Sequence, residues 1–195
     1  MTSPQPNLDS PVFVFLVFIT VFEIYRHKFG FFLNGDYNMQ GLTNMKTLKL
    51  KTLNAEETRK LGEKIGMHAR GDMVFLLSGD LGAGKTTLTQ GIARGLGIKR
   101  NVTSPTFTIQ KLYRGGRLEL NHIDAYRLEG LNQDLGFEEY MNDGGVTVIE
   151  WSQFAPQLIP DEYCSISIFL NDEDCREFVF EAHGEAYEAL LEELE

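Results

Sequence analysis

Cysteine is scarce. Cys164 and Cys175 are the only two, too few for a disulfide scaffold or a four-cysteine zinc site. Positive charge is scarce in one region. Residues 129–195 carry 18 Asp and Glu but a single basic residue, Arg176. That third cannot face a polyanion, and its acids read as a solvated surface with a polar terminal helix. The formal charge of −10 argues against a simple polyanion binder. Residues 1–128, with 17 Lys and Arg against 10 Asp and Glu, can face phosphates. No internal repeat and no guanine-reading Asn/Thr-Lys-x-Asp pattern occurs. At 43% hydrophobic and 24% charged, the 195 residues suit one folded domain, or one domain plus a tail.

The longest apolar run, PVFVFLVFITVF over 11–22, falls short of the roughly 20 residues a spanning helix needs. No Lys or Arg precedes Arg26, whereas a secretory signal begins with a basic stretch. Three readings compete for residues 1–45: a membrane anchor, a disordered or disposable tail, or upstream sequence that is not part of the native protein. The last two fit better, because ordered patterning begins right after Met45 and both Met39 and Met45 offer later starts. The expected domain is therefore 46–195.

Within it, TLKLKTL (47–53) alternates like a half-buried strand. Asn54 can cap a following helix, with Glu57 at the capping-box position. DMVFLLSG (72–79) is a continuous apolar run typical of a central strand buried on both faces. A glycine-rich turn and a helix with Leu88, Ile92 and Leu96 on one stripe follow. Residues 107–113 and 117–126 read as a hairpin around Arg114-Gly115-Gly116, and 131–140 as a short acidic helix. Residues 145–151 form another buried strand, 163–170 and 175–182 a second hairpin, and 184–195 an amphipathic helix. This order implies an α/β fold of the P-loop NTPase type. It has three layers around a mainly parallel central sheet with antiparallel hairpins.

One motif carries chemistry. Gly79-Asp80-Leu81-Gly82-Ala83-Gly84-Lys85-Thr86 fits G-x-x-x-x-G-K-[ST], between a buried strand and a helix. The glycines let backbone N–H groups turn inward toward an anion. The helix N-terminus adds its positive dipole end. Lys85 supplies a point charge to the terminal phosphates. The Thr86 hydroxyl suits Mg²⁺, which keeps several waters. ATP and Mg²⁺ are the expected ligands, since the guanine-reading pattern is missing.

Such a loop needs a carboxylate to hold the metal or orient water. Glu150 and Asp124 both end apolar strands, and a carboxylate leaving a buried strand at its C-terminal edge lands beside the loop. Spacing does not decide which is nearer the metal. Thr103–Thr108 occupies the position where nucleotide switches sense the terminal phosphate, and Thr106 is the hydroxyl chosen to reach metal or phosphate. Trp151 follows Glu150 directly, as core or as a partner contact.

The motifs GDLGAGKTT (79–87), VTSPTFT (102–108), HIDAYRL (122–128), LGFEEY (135–140) and VIEW (148–151) occur in this order. Together they resemble the TsaE family, formerly called YjeE, over about residues 46–182. The resemblance implies a small bacterial P-loop ATPase. It implies partners TsaD and TsaB in placing threonylcarbamoyl on N6 of adenosine 37 of ANN-decoding tRNAs. ATP hydrolysis would reset or activate the TsaD–TsaB assembly, with tRNA met only through that complex. By position, Lys85, Thr86 and Thr87 belong to the nucleotide and Mg²⁺ site, Thr106 to the switch-like loop, and Asp124 and Glu150 to hydrolysis.

Rival readings are a small-molecule kinase, a nucleotide-gated binding module with negligible turnover, and a direct tRNA binder. A kinase needs cationic clamps, for which Arg114, Arg117 and Arg127 remain, while Arg176 lies in a hairpin strand. A tRNA binder would use a strip of Lys99, Arg100, Lys111, Arg114 and Arg117. Cys175 is expected opposite about Leu170 rather than Cys164, so both thiols read as buried and free, consistent with a reducing cytoplasm. No metal beyond Mg²⁺ is expected.

Overall fold

The computed structural model describes residues 46–129, 136, 137, 141, 143–171 and 174–195. The N-terminal extension and most of the expected acidic helix at 131–140 lie outside these residues. The described elements, in chain order, are β1 (Thr47–Thr52), α1 (Ala55–His68), β2 (Val74–Ser78) and α2 (Lys85–Gly95). They continue with β3 (Gln110–Tyr113), β4 (Leu120–Asp124), β5 (Val146–Glu150), β6 (Tyr163–Leu170), β7 (Arg176–His183) and α3 (Glu185–Leu194). All the strands join one sheet in the order β1-β7-β6-β2-β5-β4-β3. The centre, β6-β2-β5-β4, is parallel. The hairpins β3–β4 and β6–β7, and the edge pair β1–β7, are antiparallel.

Strand parity divides the core. Phe75 and Leu77 of β2, Val146 and Val148 of β5, and Ile166 and Ile168 of β6 face one side. They pack there with Leu88 and Ile92 of α2, Ile65 of α1 and Leu190, Leu191 and Leu194 of α3. Val74, Leu76, Ile123 and Ile149 face the other side, against Leu128, Ala155 and Leu158. Among the described residues that second layer comprises 3₁₀ turns at Ala125–Leu128, Ser152–Phe154 and Pro156–Leu158, together with Phe137 and Met141. Each fully buried Leu, Ile or Phe contributes about 1.5–3 kcal/mol, so the strand that feeds the glycine-rich turn, buried from Val74 to Leu77, is firmly held.

α1 and α2 meet along glycine. A Cβ on Gly91 would lie 2.8 Å from the Gly62 Cα, and one on Gly95 2.8 Å from the Gly66 Cα. The two backbones therefore touch, which only glycine permits. α1 is capped as expected: Asn54 Oδ1 accepts from the Glu57 N–H at 2.9 Å. The Glu57 carboxylate reaches back one residue further than in a standard capping box, to the Leu53 N–H at 2.8 Å.

The first hairpin is shorter than its sequence suggested. Residues 107–109 form a turn in which the Thr108 and Ile109 N–H groups donate to the Pro105 carbonyl. Ile109 has φ +66°, which interrupts extended pairing. At the other end the Arg117 N–H donates to the Leu96 carbonyl at 2.8 Å, so the chain joins β4 only at Leu120. Cys175 lies opposite Asn171, one residue beyond expectation, since Leu170 pairs with Arg176. Both cysteines are free, but only Cys164 is buried; Cys175 is partly exposed. No described helix is long and apolar enough to cross a membrane.

Candidate phosphate-binding site

Parity and register assemble the site. On β4, His122 and Asp124 share the side of Leu120; on β5, Glu150 shares the side of Val148. That side carries α2, which begins at Lys85. Parallel pairing sets Asp124 beside Glu150 and Glu150 beside Leu77, at the C-terminal ends of β4, β5 and β2. Two carboxylates on adjacent strands thus lie under the turn that leaves β2.

The turn bends through left-handed backbone at its glycines. Gly79, Gly82 and Gly84 all have positive φ, at 142°, 82° and 113°. Asp80 opens a tight turn by accepting from the Ala83 N–H at 3.1 Å, Leu81 is 93% exposed at its tip, and Ala83 is buried. Gly84 is the cap residue of α2, with no side-chain cap, so the first N–H groups of that helix are left for a ligand. Thr86 and Thr87 stand in the first turn of α2.

Lys85 is 5% exposed. Its ammonium donates to the Gly79 carbonyl at 2.7 Å and the Asp80 carbonyl at 2.9 Å. It also lies 4.2 Å from the centroid of the Trp151 ring. Burial holds its pKa below the ordinary lysine value of 10.5, while Glu150, Asp124 and Asp80 pull it up. A desolvated ammonium held mostly by carbonyl dipoles is a strong attractor of anionic charge.

Asp124 and Glu150 are each 3% exposed. Glu150 Oε1 accepts from the Thr86 hydroxyl at 3.2 Å and from His122 Nε2 at 2.8 Å. Asp124 Oδ2 accepts from the Thr106 hydroxyl at 2.6 Å, and Oδ1 from the Tyr126 N–H at 3.1 Å. Both carboxylates therefore touch hydroxyls, one in the loop helix and one in the expected switch segment. These hard oxygen donors suit Mg²⁺. No cluster of three His, Cys, Asp or Glu side chains fit for a metal occurs among the described residues. A cation here would complete its shell with phosphate oxygens and water.

The family described as "Threonylcarbamoyl adenosine biosynthesis protein TsaE" matches residues 52–178. The chain belongs to the TsaE family. A "tRNA threonylcarbamoyladenosine biosynthesis protein TsaE" of Bacillus subtilis (strain 168) is 47% identical over 150 residues, 77% of this chain and 95% of that protein. One from Nostoc is 40% identical over 134 residues, 66% of this chain and 82% of that protein. A crystal structure of Bacillus subtilis YdiB is similar with a TM-score of 0.68 at 41% identity, covering 78% of this chain and 96% of that one.

Of the expected basic strip, Lys99 and Arg100 are exposed and the other three have partners within this TsaE chain. Lys111 donates to the Thr103 hydroxyl and Ser104 carbonyl, Arg114 to Glu119, and Arg117 to the Gly66, Met67 and Ala69 carbonyls at the end of α1. Arg127 donates to the Thr106 carbonyl and lies 5.2 Å from the Phe107 ring centroid. Trp151, at φ +59°, joins Tyr126 and Phe154 in an aromatic cluster. Sequence reasoning missed the bond from His122 to Glu150, which the register of β4 against β5 creates. It also missed where Arg176 goes. Its signal was a lone cation at an inward position of an alternating strand.

Proposed function

We propose that this TsaE family member is a Mg²⁺-dependent ATPase of threonylcarbamoyladenosine biosynthesis in tRNA. It supports a TsaD–TsaB assembly in the cytoplasm rather than making the modification itself. The observation that carries the reading is the meeting of Lys85 and Thr86 with Asp124 and Glu150 at one end of the sheet. The family membership supplies the tRNA-modification context, and the names of its relatives the product.

In this reading the loop amides of residues 80–86 and the Lys85 ammonium hold the triphosphate. Lys85 then exchanges the Gly79 and Asp80 carbonyls for phosphate oxygens. Thr86 and Glu150, within hydrogen-bond distance of each other, would hold Mg²⁺, which would neutralise phosphate charge. His122 keeps the Glu150 carboxylate aimed at that position. Asp124, tied to Thr106, links the switch segment to the site and orients the attacking water. Of the three arginines a kinase clamp would draw on, Arg114 and Arg117 bond to Glu119 and to the end of α1, while Arg127 stays beside the switch segment at the Thr106 carbonyl, which weakens the kinase reading.

Phosphate release tests the function. The protein with TsaD–TsaB should release phosphate from ATP without any added acceptor, and Lys85→Ala should not. Release that requires a small-molecule acceptor would favour the kinase. Undiminished release by Lys85→Ala would overturn the site.

A further inference from the structure

Arg176 is the only basic residue in the acid-rich last third, and it is 8% exposed. It begins β7, immediately after the second hairpin turn. Its Nε donates to the Ala83 carbonyl at 3.0 Å, and one terminal nitrogen donates to the Asp174 carbonyl at 2.6 Å. Among the described residues its one carboxylate partner is Asp174, whose Oδ1 is 4.0 Å from the other nitrogen. So a buried guanidinium spends its donors on backbone, one of them in the glycine-rich loop. The loop is shaped around it: a Cβ on Gly84 would lie 2.9 Å from Arg176 Nε and 3.1 Å from Cδ.

Peptide geometry gives this contact a consequence. In a trans peptide the C=O and the following N–H point in opposite directions. Holding the Ala83 oxygen toward β7 turns the Gly84 N–H away from β7. A cation on the carbonyl also polarises the peptide and strengthens its N–H as a donor. The contact comes from behind the loop, through backbone rather than through any ligand.

We propose that Arg176 is a positioning residue for phosphate binding: it fixes and polarises the Ala83–Gly84 peptide so that the Gly84 N–H faces the nucleotide. This inference rests on the phosphate-loop reading above. It ties the first residue of β7 to the nucleotide site.

Calorimetric titration with ADP and Mg²⁺ tests it, on Arg176→Met, Arg176→Lys and Lys85→Ala, alongside spectra of ¹⁵N-glycine-labelled protein. Arg176→Met should weaken ADP about tenfold, the effect of one charge-assisted hydrogen bond. Arg176→Lys, which keeps a charged donor, should recover most of that loss. In the parent the Gly84 amide resonance should move when ADP is added. In Arg176→Met it should move less, while those of Gly79 and Gly82 respond as before; general loosening would affect all three alike. Folded Arg176→Met with parental affinity and a parental Gly84 response overturns the proposal. Should that variant not fold, Arg176→Leu, which likewise has no donor, takes its place, and parental affinity there overturns it equally. Lys85→Ala separates the two levels. If it loses ADP while the Arg176 variants do not, only the role of Arg176 falls. If it binds ADP normally, the phosphate-loop reading falls with it.

Discussion

The ammonium of Lys85 sits 4.2 Å from the ring centroid of Trp151, the only tryptophan in the chain. A charge against an indole ring affects its emission, so the resting position of Lys85 has an optical reporter. Adding ADP and Mg²⁺ should change Trp151 fluorescence as Lys85 turns to phosphate. The change should vanish in Lys85→Ala. Nucleotide binding seen by equilibrium dialysis, with no change in emission, would show that Lys85 stays where it is.

The same lysine gives a pH dependence. Burial lowers its pKa from 10.5, and phosphate favours its charged form. ADP affinity should therefore fall as pH rises through the lowered value, with proton uptake on binding. Stability of the free protein runs the other way. Below the lowered value the buried ammonium costs stability, and that cost fades as pH rises toward 10.5. Titrations from neutral to about pH 10 in buffers of different ionisation enthalpy measure the proton uptake; a flat profile excludes it.

Glu150 accepts from Thr86 and His122 together. Glu150→Gln keeps the shape but loses the charge that metal or water requires. ATP hydrolysis should drop about 10²–10⁴-fold, with ADP binding retained within a few-fold. Single-turnover phosphate release measures the first and calorimetry the second. A hydrolysis rate equal to the parent's would pass the role to Asp124.

Gly91→Ala should destabilise the fold by about 1–3 kcal/mol or more through overpacking, since its Cβ would press on the Gly62 Cα and the Arg59 carbonyl. At this chain length each kcal/mol lowers Tm by about 2–4 °C. Thermal unfolding of a variant as stable as the parent would mean that the helices can part without penalty.

Much of this was legible in the sequence because it rests on local rules. The loop motif lies between a continuous apolar run and a helical stripe, and the strand ends at Asp124 and Glu150 follow from apolar runs that stop in an acid. The shortened first hairpin was not legible. Its limits come from Ile109 at positive φ, a backbone state its residue type does not announce, and from Arg117 bonding to the end of α2, a contact between residues distant in sequence. Arg176 shows the same limit. Composition marked it as a lone cation, but its placement behind Ala83 depends on the order of strands across the sheet. The bond from His122 to Glu150 needed the register of β4 against β5, which no single-strand pattern contains.

The glycine seam between α1 and α2 has a mechanical side. Side chains between helices act as washers that let one slide or roll against its neighbour. Here Gly62, Gly66, Gly91 and Gly95 remove the washers, so the pair should move as one lever. Any tilt imposed on Lys85 and Thr86 at the start of α2 would then reappear on the outer surface of α1.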